Sequence, residues 1–189
     1  MDDDLAAVRR REGFLFLAGF TLSIPAANWL IGNVGTVCVP QGPCLIPVGP
    51  GIMAPSGVLM IGLALVLRDL VQRRLGLQWA IGAILFGAVL SAFLAPPALV
   101  IASAAAFLLS EMADLGVYTP LQRRRLMLAV VASSMVGLVV DSIVFLYLAF
   151  GSLDFLLGQV IGKVWMVLLA LPLVRWLRRR DVRQGLSAA

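Results

Sequence analysis

Six ionisable side chains lie inside stretches of this chain that are otherwise apolar: Arg68, Asp69, Glu111, Asp114, Asp141 and Lys163. Held at the centre of a bilayer, a charge costs at least about 2.5–3.5 kcal/mol. Several such charges on several helices exceed what anchoring needs. Carboxylates accept hydrogen bonds from N–H donors, and Lys, Arg and Gln donate to carbonyls, so the chemistry on offer is recognition of a polar solute. Four carboxylates stand against two cations, formally −2. In a low dielectric that balance calls for a proton, a metal cation or a cationic substrate group. The expectation is a small polytopic transporter whose polar groups line a substrate cavity, with proton-coupled uptake as one way to run it.

Composition supports the membrane setting. Of 189 residues, 61% are hydrophobic and 13% charged, whereas soluble domains are nearer half apolar and a quarter charged. Mean hydropathy is +0.99. The length suits one domain, so residues 1–189 are read as a single transmembrane transporter domain. The pI of about 10.2 comes from short basic clusters at the ends of apolar runs. No long basic stripe with interleaved aromatics is present, which argues against nucleic acid as a partner. The chain has no His, the commonest metal ligand and the easiest general base near neutral pH. No metal, no cofactor and no catalytic residue is expected.

Six apolar stretches position the charges: Phe14–Ile31, Pro55–Leu70, Trp79–Leu94, Pro97–Val117, Leu126–Phe150 and Phe155–Leu177. Each approaches the ~20 residues that cross a hydrocarbon core. Only Ala95 and Pro96 separate the third from the fourth, which predicts a tight hairpin with Pro97 in the first turn of the next helix. The first stretch, with Arg9–Arg11 before it and Pro25-Ala26-Ala27 near its end, has features of a signal peptide. Its cleavage pattern is poor, and retention is expected. Arginines occupy alternate connections only: Arg9–Arg11, Arg73 and Arg74, Arg123–Arg125, and Arg178–Arg180 with Arg183. By the positive-inside rule both termini are cytoplasmic. The fold expected is an all-α bundle of six transmembrane helices with a long Pro/Gly-rich outer loop between the first two.

Helical rise sets depths. Asp141 falls about 13 Å from the outer end of the fifth helix and Lys163 about 12 Å from that side on the sixth. The two are expected at one level, as a pair fixing register or as cavity lining, with Gln159 one turn above Lys163. Arg68 and Glu111 fall about 20 and 21 Å in from the outer side, a plausible ion pair. Asp114 and Tyr118 continue the face of Glu111. For Arg68, Asp69 and Asp114 the alternative is snorkelling to the cytoplasmic interface.

The outer loop, Gly32 to Ala54, is uncharged and rich in Gly and Pro, with apolar residues such as Val37, Val39, Leu45, Ile46, Ile52 and Met53. It reads either as a lid folded over the bundle or as an ordinary surface loop. Its cysteines, Cys38 and Cys44, form a local disulfide if the loop faces an oxidising compartment and are otherwise two free thiols. Small residues four apart, Gly158/Gly162, Ala83/Gly87 and Ser133/Gly137, mark close helix contacts. Internal packing is the expectation, and a homodimer is compatible with them.

The polar residues sit in recognisable local sequences. Pro55-Ser56-Gly57 leads to Leu67-Arg68-Asp69-Leu70, and Ser110-Glu111-Met112-Ala113-Asp114 to Val117-Tyr118-Thr119-Pro120-Leu121. Val140-Asp141-Ser142 follows, then Gly158-Gln159 with Gly162-Lys163. In this order they resemble the vitamin uptake transporter (VUT) family, in its YhhQ-type queuosine-precursor branch. The resemblance implies a six-helix inner-membrane importer of 7-deazaguanines, chiefly 7-cyano-7-deazaguanine. It points to Glu111 or Asp141 as acceptors for the guanine-like edge. Gln159, Asn28, Lys163 or Arg68 would be donors, and Trp165 or Phe145 would stack on the ring. The substrate-binding set is therefore Glu111, Asp114, Asp141, Gln159, Lys163, Arg68, Asn28, Tyr118 and Trp165.

Two other functions compete. A substrate-binding subunit of an energy-coupling-factor vitamin importer would show small residues four apart on the first helix for docking, but Ala18 is followed by Leu22 and Ala26 by Leu30. An intramembrane enzyme would need a nucleophile and base; without His, Ser142 and Lys163 offer no evident dyad.

Overall fold

The computed structural model describes residues 2–38, 43–95 and 99–184. Six helices are formed: α1 (Asp2–Asn33), α2 (Val58–Leu75), α3 (Leu77–Leu94), α4 (Val100–Leu121), α5 (Leu126–Phe150) and α6 (Leu156–Gln184). Each of the six apolar stretches overlaps one of these helices, and α5 has the bounds expected of it. The predicted α3–α4 hairpin with Pro97 falls on residues 96–98, outside the described residues.

Polarity is inverted relative to a water-soluble domain. Arg68, Asp69 and Lys163 are wholly buried, while Phe93 is 83% and Ile101 79% exposed. That distribution suits a lipid solvent, where outward side chains are apolar and polar ones turn inward. Among the described residues, five helices are long and apolar enough to cross a membrane: α1, α3, α4, α5 and α6. This is the architecture of a helical multi-pass membrane protein. α2 falls short because four charges, Arg68, Asp69, Arg73 and Arg74, lie in its 18 residues. It is instead the most enclosed helix. Twelve of its residues are buried, against five of the equally long α3. It touches all five other helices.

Single residues set the close approaches. Gly76, at φ 95°, joins α2 to α3 with no other linker, a backbone conformation that favours glycine. At Gly62 an added Cβ would lie 2.5 Å from the Lys163 carbonyl oxygen, so α2 and α6 meet backbone to backbone. The predicted small-residue pairs pack internally. Gly87 faces Phe107, Gly137 faces Leu65 and Asp114, Gly158 faces the Met53 carbonyl, and Gly162 faces Val58 and Val48.

The segment between α1 and α2 departs from the all-α expectation. It forms a three-stranded antiparallel sheet of β1 (Val37–Cys38), β2 (Cys44–Gly49) and β3 (Ile52–Pro55). Cys38 and Cys44 form a disulfide between the first two strands. Val48, Ala54 and Val58 make a small apolar core with Ile161 of α6 packed on it. Val48 and Ala54 thus point inward, Ile46 and Ile52 pack partly against them, Val37 stays exposed, and the sheet seats on one end of the bundle. Val39, Pro40 and Gly42 lie outside the described residues. The arginine clusters mark the opposite end.

Replacing Gly158 with Val would force α6 off the Met53 carbonyl. Overpacking of this kind costs about 1–3 kcal/mol. The melting temperature in detergent should fall measurably for G158V and stay near the native value for G116V, since nothing lies within 4 Å of a Cβ at Gly116. Equal melting of the two variants would contradict the close α6–sheet contact.

Candidate functional site

Two buried charge clusters flank a cavity. The first is built on Arg68 of α2. Its Nε donates to Glu111 Oε2 at 3.0 Å, its Nη1 to Gln72 Oε1 at 3.2 Å, and its Nη2 to Asp114 Oδ1. Nη2 also lies 3.0 Å from Asp69 Oδ1. The guanidinium stands over the Tyr118 ring, 5.7 Å from its centroid. The fork geometry of arginine suits this role, because a rigid set of five donors reaches several acceptors at once. Helical spacing does the rest: Glu111, Asp114 and Tyr118 lie at i, i+3 and i+7 on α4 and so share one face. Ser133 of α5 donates to Asp69 Oδ2 at 3.0 Å. Gln72 passes the network on to Thr119 Oγ1 at 3.0 Å.

The second cluster is built on Lys163 of α6. Its ammonium donates to Asp141 Oδ2 at 2.6 Å, Ser142 Oγ at 2.7 Å and Gln159 Oε1 at 2.8 Å. All three ammonium donors are used. The Ser142–Lys163 proximity goes beyond what sequence indicated. Ser142 Oγ nonetheless gives its own proton to the Leu138 carbonyl, at 2.7 Å, and it does not line the cavity. The contact holds the lysine in place.

Between the clusters, toward the sheet, lies a cavity of about 110 Å3. Glu111, Asp141 and Gln159 supply its charged and amide wall, and Asn28 faces them from α1. Ser23, Ser91, Ser103 and Ser110 add hydroxyls, and Phe107 and Phe145 add aromatic surface. Orientation follows from what each group already bonds. Lysine only donates, so the Gln159 atom facing Lys163 is the carbonyl oxygen, and the amide N–H2 remains for the cavity. Asn28 Nδ2 donates to the Ile24 carbonyl at 3.0 Å, which leaves its oxygen as an acceptor. Ser23 and Ser110 donate to carbonyls of their own helices. The cavity is therefore rich in acceptors with one amide donor.

Of the residues expected to bind substrate, Glu111, Asp141, Gln159 and Asn28 line this cavity. Arg68, Asp114, Tyr118 and Lys163 stand behind it, at most 0% exposed, and hold or surround the lining groups. Snorkelling of Arg68, Asp69 and Asp114 is overturned: all three are fully buried, with both carboxylates gathered on the guanidinium. Trp165 is elsewhere. It is 51% exposed and donates to the Val48 carbonyl at 3.0 Å, pinning the sheet to α6. Of the two stacking candidates, Phe145 is the one at the cavity.

A third cluster was missed from sequence. Asp181 of α6 accepts from Arg73 (Nη2 at 2.8 Å) and Arg74 (Nη2 at 2.7 Å). Glu12 of α1 accepts from Arg74 at 2.9 Å and pairs with Arg180. The available signal was an acid embedded in the first and the last arginine cluster.

A family model described as "Putative vitamin uptake transporter" matches residues 91–177, which is 87 of the 189 residues. The match spans Glu111, Asp114, Asp141, Gln159 and Lys163. Over that stretch the chain is similar to a family of small-molecule uptake transporters, and this supports a membrane transporter as the class of protein. No curated protein and no solved structure matches the chain.

Arg68→Lys keeps the charge but loses the fork. Breaking a buried pair by removing a partner costs about 3–5 kcal/mol. R68K should melt well below the native protein in detergent, while R123K, on an exposed connection, should not. Native-like melting of R68K would show that the guanidinium is not organising α2 against α4.

Proposed function

We propose that this chain is an importer of queuosine precursors, 7-cyano-7-deazaguanine or a related 7-deazaguanine, in the bacterial inner membrane. The observation that carries the reading is that Glu111 and Asp141, from different helices, face one cavity with each carboxylate held from behind by a cation. A guanine-like edge carries adjacent N–H donors, which a carboxylate accepts in pairs. The Gln159 amide donates to the carbonyl or nitrile, and Phe145 or Phe107 offers a flat apolar surface for the ring. A solute without those donors leaves the buried acceptors unpaired and is rejected.

In this reading α2 is a sixth crossing, kept in the slab by its neighbours, and both termini are cytoplasmic. The Cys38–Cys44 disulfide at the sheet end fits an oxidising exterior. The cavity then opens toward the side from which solute arrives.

The test is uptake by the chain alone, in cells lacking their own route, of 7-cyano-7-deazaguanine, its aminomethyl analogue and queuine compared side by side. At least one should accumulate. E111Q should weaken binding by roughly tenfold to a hundredfold, since a hydrogen bond to a charged group contributes about 1.5–3 kcal/mol. Binding of none of the three would remove the substrate assignment. Binding without uptake, restored by energy-coupling-factor subunits, would make the chain a substrate-binding subunit instead.

A further inference from the structure

The Arg68 cluster carries more negative charge than its surroundings neutralise. Asp69, Glu111 and Asp114 share one guanidinium, and all four side chains are at most 2% exposed. The buried pair one layer nearer the sheet, Asp141 with Lys163, is self-neutralising. Glu111 reaches the cavity, where solute or water meets it. Asp69 and Asp114 do not. Both point Oδ1 at the same Arg68 Nη2. Asp114 Oδ2 has no hydrogen-bond partner, and Asp69 Oδ1 has only that ion-pair contact, at 3.0 Å and without hydrogen-bond geometry. Two further buried donors are idle around them. The Ser134 hydroxyl, next to the Asp69 partner Ser133, has no acceptor. Nor has the Tyr118 hydroxyl, on the ring beneath the guanidinium. Asp114 Oδ2 is pressed against α5 at Gly137, where a Cβ would sit 3.3 Å away, one turn from Ser134.

Two fully buried carboxylates converging on one N–H group do not both stay ionised. Among the described residues no group of three or more acidic or sulfur ligands is arranged to hold a metal ion. From the importer reading, on which this rests, we infer that Asp69 and Asp114 share one exchangeable proton and form the coupling site of the carrier, directly beneath the solute cavity. The charged and titratable groups around them are Arg68 from α2 and Glu111 and Tyr118 from α4, with Arg73 and Arg74 of α2 beyond Tyr118; α5 presents the Ser133 hydroxyl, and Asp141 of α5, paired with Lys163 of α6, lies beyond Glu111. Glu111 bridges the two sites. It shares Arg68 with the proton-bearing pair and lines the cavity, so filling the cavity alters the field that holds the proton. The proton enters from the solution on the solute's side and leaves toward the arginine end with the solute released, and no other reactant is required.

The first measurement needs no solute. Infrared spectra of the purified protein in nanodiscs are followed across neutral pH for the carbonyl stretch of a protonated carboxyl. The native protein should show it, and D69N and D114N should each lose it while eluting as folded, monodisperse protein. Absence of the band from the native protein, or its survival in both variants, would overturn the proposal. The second measurement uses proteoliposomes and 7-cyano-7-deazaguanine. An inward proton gradient should accelerate native uptake. D69N should fall to the gradient-free rate yet keep solute exchange at equal concentrations. Acceleration by a sodium gradient instead would overturn the proton assignment. If the native protein neither binds nor exchanges the solute, the substrate reading fails, and the infrared result alone decides the proton site.

Discussion

An arginine side chain taken out of water loses several kcal/mol of hydration even after the protein relaxes around it. Arg68 is fully buried at the centre of the bundle, and that debt dictates much of what surrounds it. Its donors reach α4 through Glu111 and Asp114 and its own helix through Gln72, while Asp69 connects onward to Ser133 of α5. α2 sits inside the bundle, despite its charge, because each charge has a partner on a neighbouring helix. The same contacts fix which face of α4 turns inward. Glu111 thereby reaches the cavity while Asp114 faces Gly137.

Polar layers then follow one another along α2. Nearest the sheet is the cavity, with Lys163 holding Asp141 and Gln159 at its wall. The Arg68 cluster closes its floor. Below come Gln72 with Thr119, and then Arg73 and Arg74 clasped by Asp181 and Glu12. Apolar side chains fill the spaces, with Leu65, Val66, Leu70, Tyr118 and Val174 in one continuous core. A carrier that releases solute at the arginine end has to part α2 from α6 and α1 there. Parting the helices there exposes both partners of each pair to water together, so no charge is left buried alone.

Much of this was legible in the residues, for physical reasons that differ from one feature to another. Helix positions follow from apolar run length, which is why α5 runs from Leu126 to Phe150 as expected. The Arg68–Glu111 and Asp141–Lys163 pairs were readable because helical rise converts sequence position into depth. The direction of an aromatic side chain outside those polar faces was not readable, since apolar residues fill the rest of each helix. That is why Trp165 was placed at the solute and is found on the sheet. The sheet itself was hidden by prolines within the strands, Pro47 and Pro55. The cavity serines Ser91 and Ser103 were invisible because serine on a membrane helix most often bonds its own backbone. Asp181 and Glu12 were masked by the arginines that surround them, which had been assigned to orientation alone.

The most direct measurement of the central claim, a wet polar pocket within the lipid slab, is thiol labelling at two positions of α4. Ser103 lines the cavity, and Leu109 is an exposed apolar residue 52% accessible on the outer surface of the bundle. Only a thiolate reacts, and a thiolate forms only where water reaches it. In membranes, a small water-soluble maleimide should modify S103C, 7-cyano-7-deazaguanine should slow that reaction, and L109C should stay unmodified. Modification of L109C with S103C inert would contradict the pocket and the account built on it.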